Sequence, residues 1–204
     1  MQVIGLTGFA EVGKSTVAGY LVKEHGFTRL SFAAPLKKML RQLNPIMGAS
    51  LASTGSVYQR ANRARAVHLA EVFRVHGEDE LAVKASKYGA EYRRLLQSLG
   101  TDCIRAFDEH FWVNAALAQM TDKDASYVFD DCRFPNEAQV IKDLNLYGLW
   151  NVTRPGFEPT NGHISEQHAG KMGEKVWLHN GYGLQELQDQ IDVSLDFAFG
   201  GVPA

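Results

Sequence analysis

The chain has 204 residues, a formal charge of −2 and an apolar share of 45%. That length supports one sizeable core with room for a smaller inserted lobe, and the apolar share excludes an intrinsically disordered chain. The near-balanced charge gives no basis for a broad nucleic-acid footprint or for membrane attraction, and no apolar run reaches membrane-spanning length.

Met1 to Thr7 is apolar but too short for a secretory signal, so a cytoplasmic protein is expected. Within it, Val3-Ile4-Gly5-Leu6 reads as a buried strand. Next comes Gly8-Phe9-Ala10-Glu11-Val12-Gly13-Lys14-Ser15, which fits GxxxxGK[ST], and Ser15 to His25 reads as a helix ended by Gly26. A glycine at each end of such a loop lets backbone N–H groups converge on phosphate oxygens, and the following helix adds the positive end of its dipole. Lys14 would reach the outer phosphates of a nucleotide and Ser15 would place a hydroxyl on Mg²⁺. The competing explanation is a chance match in a strand-to-helix turn. Glu11 puts an acid inside the loop, so its carboxylate is expected to point outward.

Phe27 to Phe32 reads as a second strand, and Pro35 opens a helix whose Leu36, Met39, Leu40 and Leu43 share a core-facing side. From Asn44 to Val57, turn-forming residues predict a loop, after which helical patterns fill most of Tyr58 to Met120 with interruptions near Gly77, Gly89 and Gly100. Tyr127-Val128-Phe129-Asp130-Asp131 is an apolar run ending in two acids, as a central parallel strand reads on reaching a site. Pro135 starts a helix with Ala138, Ile141 and Leu144 inward. Strands are predicted around Leu149 to Thr153 and Lys175 to Leu178, and a closing helix along Leu184, Leu187, Ile191 and Leu195. Arg154 to Gly173 is polar and lacks a period, which suits a lid-like segment. The alternation predicts an α/β fold: a three-layer αβα domain of the phosphate-loop NTPase type, with a parallel sheet of about five strands and a helical insertion over about 44–120.

Phosphoryl transfer needs charge neutralisation on both sides of the moving group, a requirement that arginine forks meet. Arg93 and Arg94 are helix neighbours, so at most one faces a site, and Arg105, Arg133 and Arg154 are further candidates. Arg60, Arg63, Arg65 and Arg74 read as surface charge. If the strand persists, Asp130 and Asp131 point to opposite sides; one of them holds Mg²⁺ or accepts a hydrogen bond from Ser15, or else caps a helix. His163, Ser165, Glu166 and His168 fit either metal binding or a solvated loop. Cys103 and Cys132 lack metal-ligand spacing and read as reduced structural thiols.

Four segments together carry a family likeness: Gly8 to Thr16; Arg93 through Leu96-Gln97-Ser98-Leu99-Gly100-Thr101-Asp102; Val128 through Asp130-Asp131-Cys132-Arg133-Phe134-Pro135-Asn136-Glu137; and His163-Ile164-Ser165-Glu166. Their order and spacing resemble the deoxynucleoside monophosphate kinases of bacteriophages and some bacterial genomes. Most of the chain takes part, and Asp-Cys-Arg-Phe-Pro-Asn-Glu is the most specific block. The resemblance implies transfer of the terminal phosphate of ATP to a deoxynucleoside 5′-monophosphate, with Mg²⁺. It assigns the donor site to Gly8, Ala10, Val12, Gly13, Lys14, Ser15 and Thr16, and the metal to Ser15 and Asp130. Arg133 would grip the acceptor phosphate, with Asp131 and Glu137 in the same block. Arg93 or Arg94, Thr101 and Asp102 would line the acceptor pocket, and Arg154 would serve the closing segment with His163, Ser165 and Glu166. Asn180 matches either the passage of the donor base or a helix-start turn with Gly181. Small-molecule nucleotides are the implied partners, and the likeness allows a homodimer.

Other readings follow from parts of the pattern. Gly5-Leu6-Thr7-Gly8 is also like the opening of dephospho-coenzyme A kinases, against which the Arg-Phe-Pro-Asn-Glu segment speaks. A nucleotide-dependent switch would carry an Asn-Lys-x-Asp segment for guanine, and the sequence has none. A scaffold protein with a vestigial loop is a third reading. The acceptor base is not legible, since aromatic residues such as Tyr88, Tyr92, Phe107 and Trp112 serve equally as core.

Overall fold

A computed structural model describes residues 1–50, 65–157 and 168–200. In chain order the elements are β1 (Val3–Thr7), α1 (Lys14–His25), β2 (Thr28–Leu30), α2 (Ala34–Leu43), β3 (Ile46–Ser50), β4 (Arg65–His68), α3 (Leu69–Val75), α4 (Glu80–Ala85), α5 (Gly89–Gln97), a π-helical stretch (Ser98–Ile104), α6 (Arg105–Phe107), α7 (Phe111–Leu117), β5 (Tyr127–Phe129), α8 (Pro135–Leu144), β6 (Leu149–Thr153), β7 (Val176–His179) and α9 (Leu184–Phe199). The chain divides into two compact units, one of residues 1–34 with 112–204, the other of residues 35–111.

In the first unit, five parallel strands lie in the order β2-β5-β1-β6-β7. Because successive strand residues face opposite ways, β1 feeds two cores. Ile4 and Leu6 pack with Val17, Ala18 and Leu21 of α1 and Leu187 and Ile191 of α9. Val3 joins Val113 and Ala116 of α7 and Ala138 and Ile141 of α8 on the other face. Gly5 points at Ile141 so closely that a Cβ there would lie 2.8 Å from Ile141 Cγ1. Its missing side chain is what lets α8 lie down on the sheet. This is the predicted α/β architecture, a five-stranded parallel sheet between helical layers. The first helix ends as expected, at Gly26 with φ 67°, whose amide reaches back to Leu21 O.

The second unit contains two strands where a loop and a helix were expected. Ile46–Ser50 and Arg65–His68 pair antiparallel, with a register shift between Ile46 and Gly48. Turn-forming residues and helical spacing pointed to a loop and then a helix, but Met47 and Val67 bury their side chains with Leu40, Leu69, Val72, Phe73, Val83 and Tyr92, and that burial outweighs local propensity. The rest of the expected loop, residues 51–57, and the first part of the expected helical block, including Arg60 and Arg63, lie outside the described residues. Gly77 does turn the chain, at φ 65°. At Gly100 the helix is not interrupted; the backbone continues in π form, with Gly100 buried against Leu36. Three predicted core positions face solvent instead: Leu43 at the last turn of α2, Leu144 at the last turn of α8, and Leu184 at the first turn of α9 are 61%, 43% and 59% exposed. Each sits at a helix end.

Both cysteines are free thiols, Cys103 exposed and Cys132 buried. Burial pushes the Cys132 thiol well above its ordinary value, and the charges of Glu137, Asp131 and Glu174 add to the shift. A thiol-specific disulfide reagent at neutral pH should therefore label Cys103 in the native protein and reach Cys132 only after denaturation, as read by mass spectrometry of labelled peptides.

Candidate functional site at the carboxyl edge of the sheet

The glycine loop leaves β1 after Thr7 and enters α1 at Lys14. Gly8 has φ 129° and Gly13 φ 107°, left-handed values that only glycine holds without strain. A Cβ on Gly8 would collide with the carbonyl oxygen of Val152 in β6, and one on Gly13 with the side-chain amide of Asn180 beyond β7. Asn180 Nδ2 donates to Val12 O at 2.9 Å and its backbone N–H to Thr153 O at 2.8 Å, so the turn after β7 clamps the loop from one side. Lys14 Nζ donates to Gly8 O at 2.8 Å and Phe9 O at 2.5 Å, which holds the ammonium over the loop. Ser15 and Thr16 are exposed on the first turn of α1, where the Thr16 N–H donates to Gly13 O at 3.0 Å. Ala10 and Glu11 are exposed, Val12 is buried, and Glu11 has φ 64°. The acid is thus open to solvent and held in left-handed geometry.

At the neighbouring strand end, β5 stops at Phe129, so the two acids leave the sheet and strand alternation does not govern them. Asp130 pairs with Arg29. Asp131 accepts from Ser31 Oγ at 2.5 Å, Phe32 N at 2.8 Å and Ala33 N at 3.0 Å, tying the turn after β2. Cys132 N donates to Leu6 O, and Glu137, 3% exposed, accepts from the backbone N–H groups of Arg133 at 2.8 Å and Phe134 at 3.1 Å. Phe134 is extended and Pro135 opens α8, so Glu137 at the third helical position closes the helix start. The Arg133 side chain is exposed and has no hydrogen-bond or ion-pair partner among the described residues. Arg154, after β6, is also exposed, its guanidinium carbon 4.8 Å from the centre of the Phe157 ring. His163, Ser165 and Glu166 lie outside the described residues.

In the second unit, the remaining candidates share one helical run. Arg94 is occupied by Glu91 through two bonds, Nε to Oε2 at 2.8 Å and Nη2 to Oε1 at 2.7 Å, whereas exposed Arg93 has no partner among the described residues. Thr101 and Asp102 fall inside the π-helical stretch. Such stretches concentrate at functional sites, because the widened turn shifts side chains out of ordinary helical register. Sequence reasoning did not single out Arg29, Ser31, Thr7, Asn151 or Glu174, whose partners are distant along the chain and leave no local spacing signal.

The first unit is thus an α/β protein whose parallel sheet carries a strained glycine loop and a row of acids and arginines at its carboxyl edge. The family described as deoxynucleotide monophosphate kinase matches residues 46–191. A protein of Acanthamoeba polyphaga mimivirus, provisionally named a deoxynucleotide monophosphate kinase, is 30% identical over 97% of this chain and 98% of its own length. The deoxynucleotide monophosphate kinases of Enterobacteria phage T4 and Escherichia phage RB69 are 31% and 33% identical over 50% and 49% of this chain, stretches that cover 44% and 43% of those enzymes. The chain belongs to the deoxynucleotide monophosphate kinase family, a family of phosphotransferases.

The two loop glycines differ in what surrounds them, and this can be measured. Gly8→Ala meets a backbone carbonyl that cannot yield and should cost about 2 kcal/mol or more, while Gly13→Ala meets a side chain that can swing aside and should cost less. Denaturant titration of both variants checks the order.

Proposed function

We propose that the chain transfers the γ-phosphate of ATP to a deoxynucleoside 5′-monophosphate, giving the diphosphate and ADP. The observation that carries this reading is Lys14, held over a left-handed glycine loop at the start of α1, in a chain of this family. Loop amides and the helix dipole take the donor phosphates, and Lys14 exchanges its two carbonyl partners for phosphate oxygens. Asn180, which touches the loop at Val12, is suited to flank the donor base.

Mg²⁺ arriving with ATP would neutralise phosphate charge. It keeps waters and takes phosphate oxygens, so a small protein share of hard oxygen donors is enough; the Ser15 hydroxyl fits that share, and the Asp130 carboxylate would join it by giving up its pairing with Arg29. Among the described residues no group of three or more His, Cys, Asp or Glu side chains would hold a metal alone. The acceptor phosphate is already an anion at neutral pH, so orientation and charge neutralisation can supply the rate without a protein base. Arg133 is the candidate to grip that phosphate, a reading supported by the Glu137 bond to its backbone N–H and by its exposed side chain. Asp131 serves the turn after β2 and adds to the same corner. Arg154 is the candidate for charge developing on the moving group. Arg93, in preference to the Glu91-bound Arg94, is proposed for acceptor recognition together with Thr101 and Asp102.

The deciding experiment is a radiolabelled-ATP assay with Mg²⁺ across the common deoxy- and ribonucleoside monophosphates and dephospho-coenzyme A. Phosphorylation of one or more deoxynucleotides is expected; turnover of dephospho-coenzyme A alone, or of nothing, would reject the assignment. Lys14→Ala should lower kcat about 10²-fold or more with the unfolding midpoint near that of the parent. Arg133→Ala should raise the acceptor KM and lower kcat while ATP affinity, measured by calorimetry, stays within about 2-fold.

A further inference from the structure

Glu174 is a carboxylate at 8% exposure, held by neutral donors. Its Oε1 lies 3.0 Å from Thr7 Oγ1 and accepts from Gly170 N at 3.0 Å, and its Oε2 accepts from Met172 N at 2.9 Å. Thr7, fully buried, also lies 3.0 Å from Asn151 Oδ1 in β6. A hydroxyl has one proton, so a consistent network has Thr7 donate to the carboxylate and meet the Asn151 amide as acceptor. Lys142 reaches the same turn and donates to Met172 O at 2.9 Å.

The location gives this cluster a use. Thr7 is the last residue of β1 and precedes Gly8, so it is the root of the glycine loop. Asn151 lies in β6, three positions before Arg154, and Gly170 to Glu174 form the return into β7. Both stems of the 154–173 segment therefore meet the root of the loop at one buried carboxylate. Removing one partner from such a network leaves donors unsatisfied away from water, so the arrangement is held firmly.

We propose that Glu174 is a positioning residue, which fixes the glycine loop through Thr7 and seats the stems of the 154–173 segment against that same root. The proposal rests on the phosphotransfer reading for its kinetic consequences, whereas its structural consequence can be read without nucleotide. Glu174→Gln keeps the volume but turns an –NH₂ toward amides that the carboxylate accepted from. Thr7→Val keeps the shape without the hydroxyl, and Thr7→Ser keeps the hydroxyl.

Hydrogen–deuterium exchange of the free protein, followed on peptides spanning 8–13, 168–174 and α9, is the first measurement. Glu174→Gln and Thr7→Val should both speed exchange in 8–13, with α9 unchanged, and Thr7→Ser should behave as the parent. In the enzyme assay the first two variants should raise the ATP KM and lower kcat, together about tenfold or more in kcat/KM, with Thr7→Ser again near the parent. The double variant should lose no more than the worse single one, since both break one linkage. Unchanged exchange in 8–13 in both Thr7→Val and Glu174→Gln overturns the proposal, and so does an active parent whose variants lose only thermal stability. If exchange responds as expected but the parent phosphorylates no nucleotide, Glu174 keeps its role and the phosphotransfer reading fails. Should Glu174→Gln not fold, the Thr7 pair decides by the same measurements.

Discussion

The proposed chemistry depends on a stretch of backbone that cannot hold its shape alone. Between Thr7 and Lys14 the chain passes through left-handed geometry at Gly8, Glu11 and Gly13, and for Glu11 that conformation is unfavourable by itself. What over-determines it is the sheet order. With β6 beside β1 and β7 beside β6, the end of each strand delivers one restraint: Val152 O beneath Gly8, and Asn180 against Gly13 and Val12. Gln190 of α9 in turn holds both the N–H and the C=O of His179, one residue before Asn180. The packed helical layer is thereby connected to the loop by a short series of hydrogen bonds.

The block from Asp130 to Glu137 shows the same division of labour. Asp130 pairs with Arg29, Asp131 ties the turn after β2, Cys132 fills the core, Pro135 starts α8 and Glu137 closes the helix start over two amides. Only Arg133 is left with an outward fork. Most of this motif is architecture, and its effect is to aim one guanidinium from a rigid corner. For the proposed role of Arg133 a rigid placement matters, because a bidentate grip on phosphate depends on angle as well as distance.

How far the sequence revealed this follows from how local each signal is. The strands of the parallel sheet are continuous apolar runs, and β6 has the predicted boundaries, Leu149 to Thr153. The glycine loop and the start of α8 at Pro135 are local chemistry and were legible too, whereas Glu137 reads as a substrate residue in the sequence and caps that helix in the structure. The hairpin of β3 and β4 was not, because its strands are short, carry Gly48, and gain their stability from Met47 and Val67 meeting helices elsewhere in that unit. The π-helical stretch was hidden for a similar reason: Gly100 reads as a break until Leu36 is found packed on it. Arg93 and Arg94 were indistinguishable until Glu91 was seen to occupy one of them. Thr7 and Glu174 stand 167 positions apart, and no spacing rule joins them.

An enzyme whose acceptor is already ionised has little use for a tuned acid or base, and its selective demand falls on placement. In the proposed reaction phosphate oxygens would have to meet loop amides at hydrogen-bond distance, and a lapse of about 1 Å is expensive in rate. Burying Glu174 among neutral donors goes against the general cost of burying charge, and a well-packed apolar residue could fill the space. The apolar substitute would lack one property: it could not hold Thr7, Gly170 and Met172 to a single point with directional bonds. A directional network is the device that suits the proposed site, whose catalysis would consist of holding anions in place, and on that reading a carboxylate remote from the loop's outer face belongs to the same problem as Lys14.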